Sequence, residues 1–323
     1  MSTEPSSNGA RGADKSRTAP RRSARTIAIV GGLAATFFVI AAGQFWRALA
    51  TPTADAQVLA GSDSSAALQI EGFVGLIDVK DGQPGTAIKV DVTPGKTKLP
   101  QPVVKTNGDR TRISFDKRLT VERCNKRDDK MEVKLRGYDK AQISDFARLA
   151  ITVPPGTDID LNLVAGKARI ATAAQASLTL SGCGEVKVDT LTGPSRLVLA
   201  GSGDIEVGKS VEIDAVVAGS GDIEIKTVTG PAALNISGTG DIDIDTINGS
   251  LAATVVGSGD ISIDKGTVSA AKVSIVGSGD VAFGGVAQSL DGSIIGSGDI
   301  AFASVTGEVK QSKIGSGDFS IGR

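Results

Sequence analysis

Histidine is absent from all 323 residues. That removes His-based triads, His general bases and most zinc sites. Cysteine is nearly absent: Cys124 and Cys183 are the only two, too few for a metal cluster. Aromatics make up 3% of the chain, with Tyr138 the only tyrosine and Trp46 the only tryptophan. A sugar-cleaving β-helix builds its cleft from long loops and aromatic platforms, and these are missing. The repeated Gly-Ser-Gly-Asp unit is not read as a phosphate loop. Gly-Lys-Ser follows it in one copy alone, at 208–210 and inside an alternating strand pattern, and no third glycine completes a dinucleotide fingerprint.

What is abundant is glycine, at 41 residues, and it is periodic. Gly-Ser-Gly-Asp-Ile stands at 201–205, 219–223, 257–261 and 296–300. Near copies stand at 182–186, 238–242, 277–281 and 315–319. The acids fall at 185, 204, 222, 241, 260, 280, 299 and 318, so the spacing is 18 to 20 residues. The calcium-binding nonapeptide repeat has a period of nine and is a different motif.

Align the copies on the acid. One and three places later come pairs such as Ile205/Val207, Ile242/Ile244 and Ile300/Phe302. Five places earlier come Leu199, Val217, Ile236, Val255, Ile275 and Ile294. Six places later another branched residue recurs: Leu191, Val228, Ile247, Val286, Val305. A spacing of two with β-branched residues is a strand pattern. A 19-residue unit cannot bury its own inward row, but stacking the unit on itself does so. The fold read from this pattern is all-β: a single-stranded parallel β-helix, right-handed by the usual chirality of crossovers. In the last repeat, Gln311 and Lys313 occupy inward positions. Polar residues there blunt a terminal edge.

The rest divides by composition. Residues 1–25 are polar and patternless and read as a disordered cytoplasmic leader. Thr26–Trp46 is an uncharged run long enough to span a bilayer, preceded by Arg17, Arg21, Arg22 and Arg25. By the positive-inside rule the remainder is exported past the inner membrane. Ala48-Leu49-Ala50 and Ala54-Asp55-Ala56 also fit a signal-peptide cleavage site, so retained anchor and cleaved leader both stay open. Residues 47–65 read as a linker, 66–165 as a β-rich N-terminal cap, and 166–323 as β-helix repeats. From Gly182 onward there are 18 acidic and 9 basic residues, so the repeats are acidic while the chain as a whole carries −1. No nucleic-acid partner fits that balance.

Two sets of residues carry chemistry. Asp204, Asp222, Asp241, Asp260, Asp280, Asp299 and Asp318 are expected to line one corner. Each either accepts backbone N–H bonds and fixes the turn, or shares a divalent cation with its neighbours, calcium being the natural choice. Cys124 and Cys183 either pair as a disulfide in an exported protein or, for Cys183, fill a turn position that other repeats give to Ser or Thr.

The tandem Gly-Ser-Gly-Asp-Ile/Val units behind a strand-rich segment resemble the GIN-domain family of auto-transporter adhesin heads. The stretch Ile151–Ile170 is similar to the start of the solenoid in related adhesin-like bacterial families. The resemblance covers roughly residues 66–323. It implies a bacterial cell-envelope β-helix and carries no catalytic residue across. The expected function is therefore a non-enzymatic, adhesin-like module with a rigid acidic surface for an envelope protein or glycan. The alternatives are a self-assembling envelope scaffold and a polysaccharide-acting enzyme.

Overall fold

The computed structural model describes residues 66–96, 98–127 and 130–322. The leader 1–25, the apolar run Thr26–Trp46 and the linker 47–65 lie outside the described residues. Among those described, no helix is long and apolar enough to cross a membrane.

The first strands already lie in the stack. β1 (Ala67–Asp81) fills most of one coil. It is followed by β2 (Lys89–Thr93), β3 (Val103–Asn107), β4 (Arg110–Ser114), β5 (Val121–Arg127), β6 (Lys130–Leu135), β7 (Lys140–Gln142) and β8 (Arg148–Val153). β4 and β8 both run parallel to β1 on one side, with Leu68 opposite Thr111 and Ile77 opposite Leu149. β9 (Asp158–Ala173) runs parallel to β1 on the other side, with Ile77 opposite Ala168. β2 pairs antiparallel with β8, and β3 with β4, so the outer edge of the first coil is covered by reversed strands. The parallel ladder thus begins ahead of residue 166, the expected start of the β-helix repeats. The physical reason is that coil geometry needs only the glycine and the alternating apolar pair. Gly75-Leu76-Ile77-Asp78-Val79 and Gly166-Lys167-Ala168-Arg169-Ile170 supply both without the aspartate.

The remaining strands are β10 (Ala176–Leu199), β11 (Asp204–Val217), β12 (Ile223–Val228), β13 (Ala232–Gly238), β14 (Ile242–Gly257), β15 (Ile261–Gly277), β16 (Val281–Ala287), β17 (Leu290–Gly296), β18 (Ile300–Val305), β19 (Val309–Gly315) and β20 (Phe319–Ile321). Each lies parallel to its counterpart one repeat away. The described residues are all-β and form a parallel solenoid of about nine turns, with β5, β6 and β7 in a separate three-stranded sheet.

Its core is a set of aliphatic columns. Val186, Ile205, Ile223, Ile242, Ile261, Val281 and Ile300 stack one above the next, each no more than 1% exposed. Burying such a side chain contributes about 1.5–3 kcal/mol. A further column, nine places before each acid, holds Ile213, Ala232, Leu251, Ala271 and Leu290, all buried. It had no place in the expected pattern, because its alternation of Ala with larger residues hides the period.

One expected inward residue is corrected. Val286 is 39% exposed, and the buried position belongs to Ala287. The register slips where β16 pairs with β15 and again where it pairs with β18. Against β18, β16 carries one extra residue at Gly284-Gly285, while β15 carries one more than β16 before Thr267; in a strand one residue reverses the face.

Candidate functional site

The glycines of the repeat form two columns at one corner of the coil, where successive backbones approach closely. A Cβ on Gly221 would fall within 3.0 Å of the carbonyl oxygen of Gly203, and one on Gly240 would meet Gly221 in the same way. In the later coils the first glycine also has positive φ, as at Gly257 (133°) and Gly296 (135°). Both glycines of the motif are therefore required, the first in the later coils by its own backbone angle and by the neighbouring coil, the second by the neighbouring coil.

The residue between them reports what covers the corner. It is Val74, Ala165 and Cys183 in three successive coils, and all three are buried. It is then Ser202, Ser220, Thr239, Ser258, Ser278, Ser297 and Ser316, where the corner meets solvent. The cover is the three-stranded antiparallel sheet β5-β6-β7. Its Met131, Val133 and Leu135 pack with Phe146, Val74, Ala165 and Cys183 in a second small core. Cys124 on β5 is bonded to Cys183 on β10, with Cα atoms 6.5 Å apart. Lys126, two residues on, reaches Asp204 at 2.7 Å. That hydrogen bond raises the Lys126 pKa against the opposing effect of burial.

The structure strings six of the seven aspartates, Asp222 to Asp318, into a ladder of five links. The backbone N–H of Asp241 donates to Oδ1 of Asp222 at 3.0 Å. Asp260 donates to Asp241 at 2.8 Å. Asp280, Asp299 and Asp318 donate to Asp260, Asp280 and Asp299 at 2.7 Å each. Each carboxylate from Asp222 to Asp299 thus accepts the amide of the aspartate one coil on. Asp204 and Asp318 pair with lysines instead, Asp204 with Lys126 and Asp318 with Lys313 at 2.9 Å. Among the described residues no three acidic side chains gather where one cation would touch them all.

Two places beyond the aspartates runs an outward column of changing character. In coil order it reads Ala150, Asp78, Arg169, Lys187, Glu206, Glu224, Asp243, Ser262, Ala282, Ala301 and Ser320. After Ala150 and Asp78 the face is basic at Arg169 and Lys187, acidic over the next three coils and uncharged at the far end. At the junction Lys187 bridges Glu185 (2.8 Å) and Glu206 (2.9 Å), and Lys167 also reaches Glu185 (3.4 Å). The two hydrogen bonds made by Lys187 raise its pKa. Burial pushes Glu185 up, but its two lysines outweigh that and hold it below the usual carboxylate range. In the acidic zone Asp243 is pushed up, first by burial and then by Asp241, Asp222, Glu224 and Asp264.

Across the basic zone lies an open groove of about 520 Å³. Arg148, Lys167, Arg169 and Lys187 line it over four coils, with Asp78 and Glu185 between them. The zone has no marker in the sequence, because its coils lack the aspartate that flags the others.

No curated protein matches the chain. A crystal structure of a "putative lipid binding protein" from Parabacteroides distasonis ATCC 8503 aligns at 18% identity, over 80% of this chain and 93% of that one, with a TM-score of 0.43. A crystal structure of a "putative adhesin" from the same organism aligns at 20% identity, over 79% and 92%, with a TM-score of 0.42. Residues 109–228, which run from β4 through the small sheet to the second Gly-Ser-Gly-Asp corner, match the family described as "putative auto-transporter adhesin, head GIN domain", the family that the repeats resemble.

Proposed function

We propose that this protein is a non-enzymatic, adhesin-like binding module facing the outside of a bacterial cell, attached to the inner membrane through Thr26–Trp46. The observation that carries the reading is the contrast between the two sides of one strand. The inward columns keep Ile, Val or Phe in coil after coil, while the outward column changes from basic to acidic to neutral. A stack held constant inside and varied outside is a support for a surface, and the varied surface is where a partner is distinguished. The family match at residues 109–228 supports an envelope-facing location. The partner is an envelope protein or glycan.

The test is capture. Immobilised full-length protein is exposed to a fractionated bacterial envelope and to a glycan array. Retention of a defined component, reduced by charge reversal on the outward face, is expected. Retention of nothing from either source overturns the reading.

A second reading, self-assembly into an envelope scaffold, is favoured by one feature. Val256, Val276, Ile295 and Ile314 line up on the outward face of four successive coils, with Ile295 48% and Ile314 67% exposed. Concentration-dependent sedimentation of the full-length protein supports it, and a monomer at all concentrations excludes it.

A further inference from the structure

We infer that the groove across the first coils binds a short acidic oligosaccharide through Arg148 and Arg169; this rests on the reading of the protein as a surface binder. The argument starts from which cations are already engaged. Lys167 is paired with Glu185, and Lys187 with Glu185 and Glu206. Asp78 is paired with Lys80. Arg148 and Arg169 are both exposed and both line the groove, and neither has a carboxylate partner among the described residues. A guanidinium presents a planar fork of donors that fits a carboxylate, phosphate or sulfate with two parallel bonds. Two such forks with no internal acceptor form a receptor for anionic groups.

Their spacing is set by the stack. Arg148 is on β8 and Arg169 on β9, and β1 lies between them. Two strand spacings separate the arginines by about 10 Å along the axis, and the two-residue offset between Leu76, opposite Arg148, and Asp78, opposite Arg169, adds about 7 Å along the strand, for about 12 Å in all. The ligand therefore carries two acidic groups about that far apart. The floor between the arginines holds Leu76 and Ala150 together with Asp78, whose carboxylate is engaged by Lys80 at 3.1 Å.

The surroundings select among anions. Every strand under the groove is paired on both sides: β8 between β1 and β2, β1 between β8 and β9, and β9 between β1 and β10. No free edge is left there to take a peptide backbone by strand addition, so recognition is by side chains alone. The next coils carry Asp204, Glu206, Asp222, Glu224, Asp241 and Asp243. A long polyanion, such as a nucleic acid, laid along the axis would meet that wall. A short acidic sugar chain, or the end of a longer one, places its charges over the arginines and stops before it.

The probes are oligogalacturonate of four sugars, a neutral dextran oligomer of the same length and oligo-L-glutamate, each titrated into full-length protein in non-ionic detergent. Oligogalacturonate is expected to bind, more weakly as salt rises, and the neutral sugar not to bind. Arg148→Gln and Arg169→Gln are each expected to weaken binding about tenfold, the loss of one charge-assisted contact. Arg169→Lys, which keeps the charge and loses the fork, should fall between. Lys310→Gln, on β19 at the far end, should change nothing. All three sites are exposed, and an unchanged melting temperature shows each variant folded. No binding at low salt, or binding indifferent to both arginines, overturns the inference. Equal affinity for oligo-L-glutamate overturns the sugar assignment. Loss of this binding with retained capture of another envelope component sinks the groove alone and leaves the proposed function standing.

Discussion

The aspartate ladder makes a claim that separates hydrogen bonding from charge. Consider Asp241, Asp260 and Asp280, three consecutive members. Their Oδ1 atoms accept the amides of Asp260, Asp280 and Asp299 at 2.7–2.8 Å. Changing all three to Ala removes three acceptors and leaves three backbone donors to water. At about 1 kcal/mol for each net bond, the cost is about 3 kcal/mol. For a module of this size that lowers the melting temperature by roughly 6–12 °C. Changing all three to Asn keeps an oxygen of the same shape in the same place and removes three like charges spaced about 4.8 Å apart. Repulsion between such exposed charges is about 1 kcal/mol per adjacent pair in water, and salt reduces it. The Asn variant is therefore expected to match the parent or exceed it by a few degrees at low salt, with the gain shrinking at high salt. The assay is thermal unfolding of full-length parent, triple Asn and triple Ala proteins, each with and without millimolar calcium. Calcium should move the parent little. If Asn proves as damaging as Ala, the carboxylate charge matters and the acceptor account fails. If calcium raises the parent's midpoint but not that of the Asn variant, the ladder holds a metal, since a ligand of the folded state alone stabilises it by mass action.

Other outcomes rest on the same geometry. Gly221→Ala drives a Cβ against the carbonyl of Gly203; backbone cannot yield there, so soluble expression should fall sharply, and a normally folded variant refutes the close-approach argument. Ile244→Asp places a charge in the column between Ile225 and Ile263 and should cost several kcal/mol in chemical denaturation. Asp243→Ser, next to it and outward, should cost nothing at neutral pH and bring a small gain. The Asp243 pKa is raised above 3.8, so the folded state holds that proton more tightly and loses stability as pH rises through the folded pKa. The gain from Asp243→Ser should thus be present at pH 7 and vanish below about pH 3.8; a gain that persists in acid refutes the repulsion. Cys124→Ser with Cys183→Ser opens a loop of 59 residues, worth about 4 kcal/mol by chain entropy. Protease should then cut the β5-β6-β7 segment before the solenoid, and uniform loss across the chain would show that the small sheet is not locally held.

What was legible in the residues was whatever repeats. The acid at 18- to 20-residue intervals, with Ile or Val one and three places on, fixes coil, face and corner together, because a stacked strand offers only one inward side. The β1 coil escaped for a chemical reason: Leu76 stands where later coils have Asp, so the marker is lost although Gly75 remains. Val286 misled because glycine leaves no side chain to show which of Gly284 and Gly285 is extra. The Asp corner was readable as a line of carboxylates, but not the identity of the donor, since the amide comes from another coil. The groove was invisible for the opposite reason: Arg148 and Arg169 are 21 positions apart, share no motif and meet only because β1 slots between their strands.

The ladder has a direction. Every link from Asp222 to Asp318 runs the same way, amide of the later coil to carboxylate of the earlier; Lys313 closes the carboxylate of Asp318, and Lys126 that of Asp204 one coil before the ladder begins. A middle coil therefore enters with one donor and one acceptor and leaves its neighbours as it found them. Duplicating or deleting such a coil in register creates no orphaned group. The length of this protein is open to change by unequal recombination within the repeats, which lets the reach of the surface evolve separately from the ends that fold it and the groove that sits at one of them.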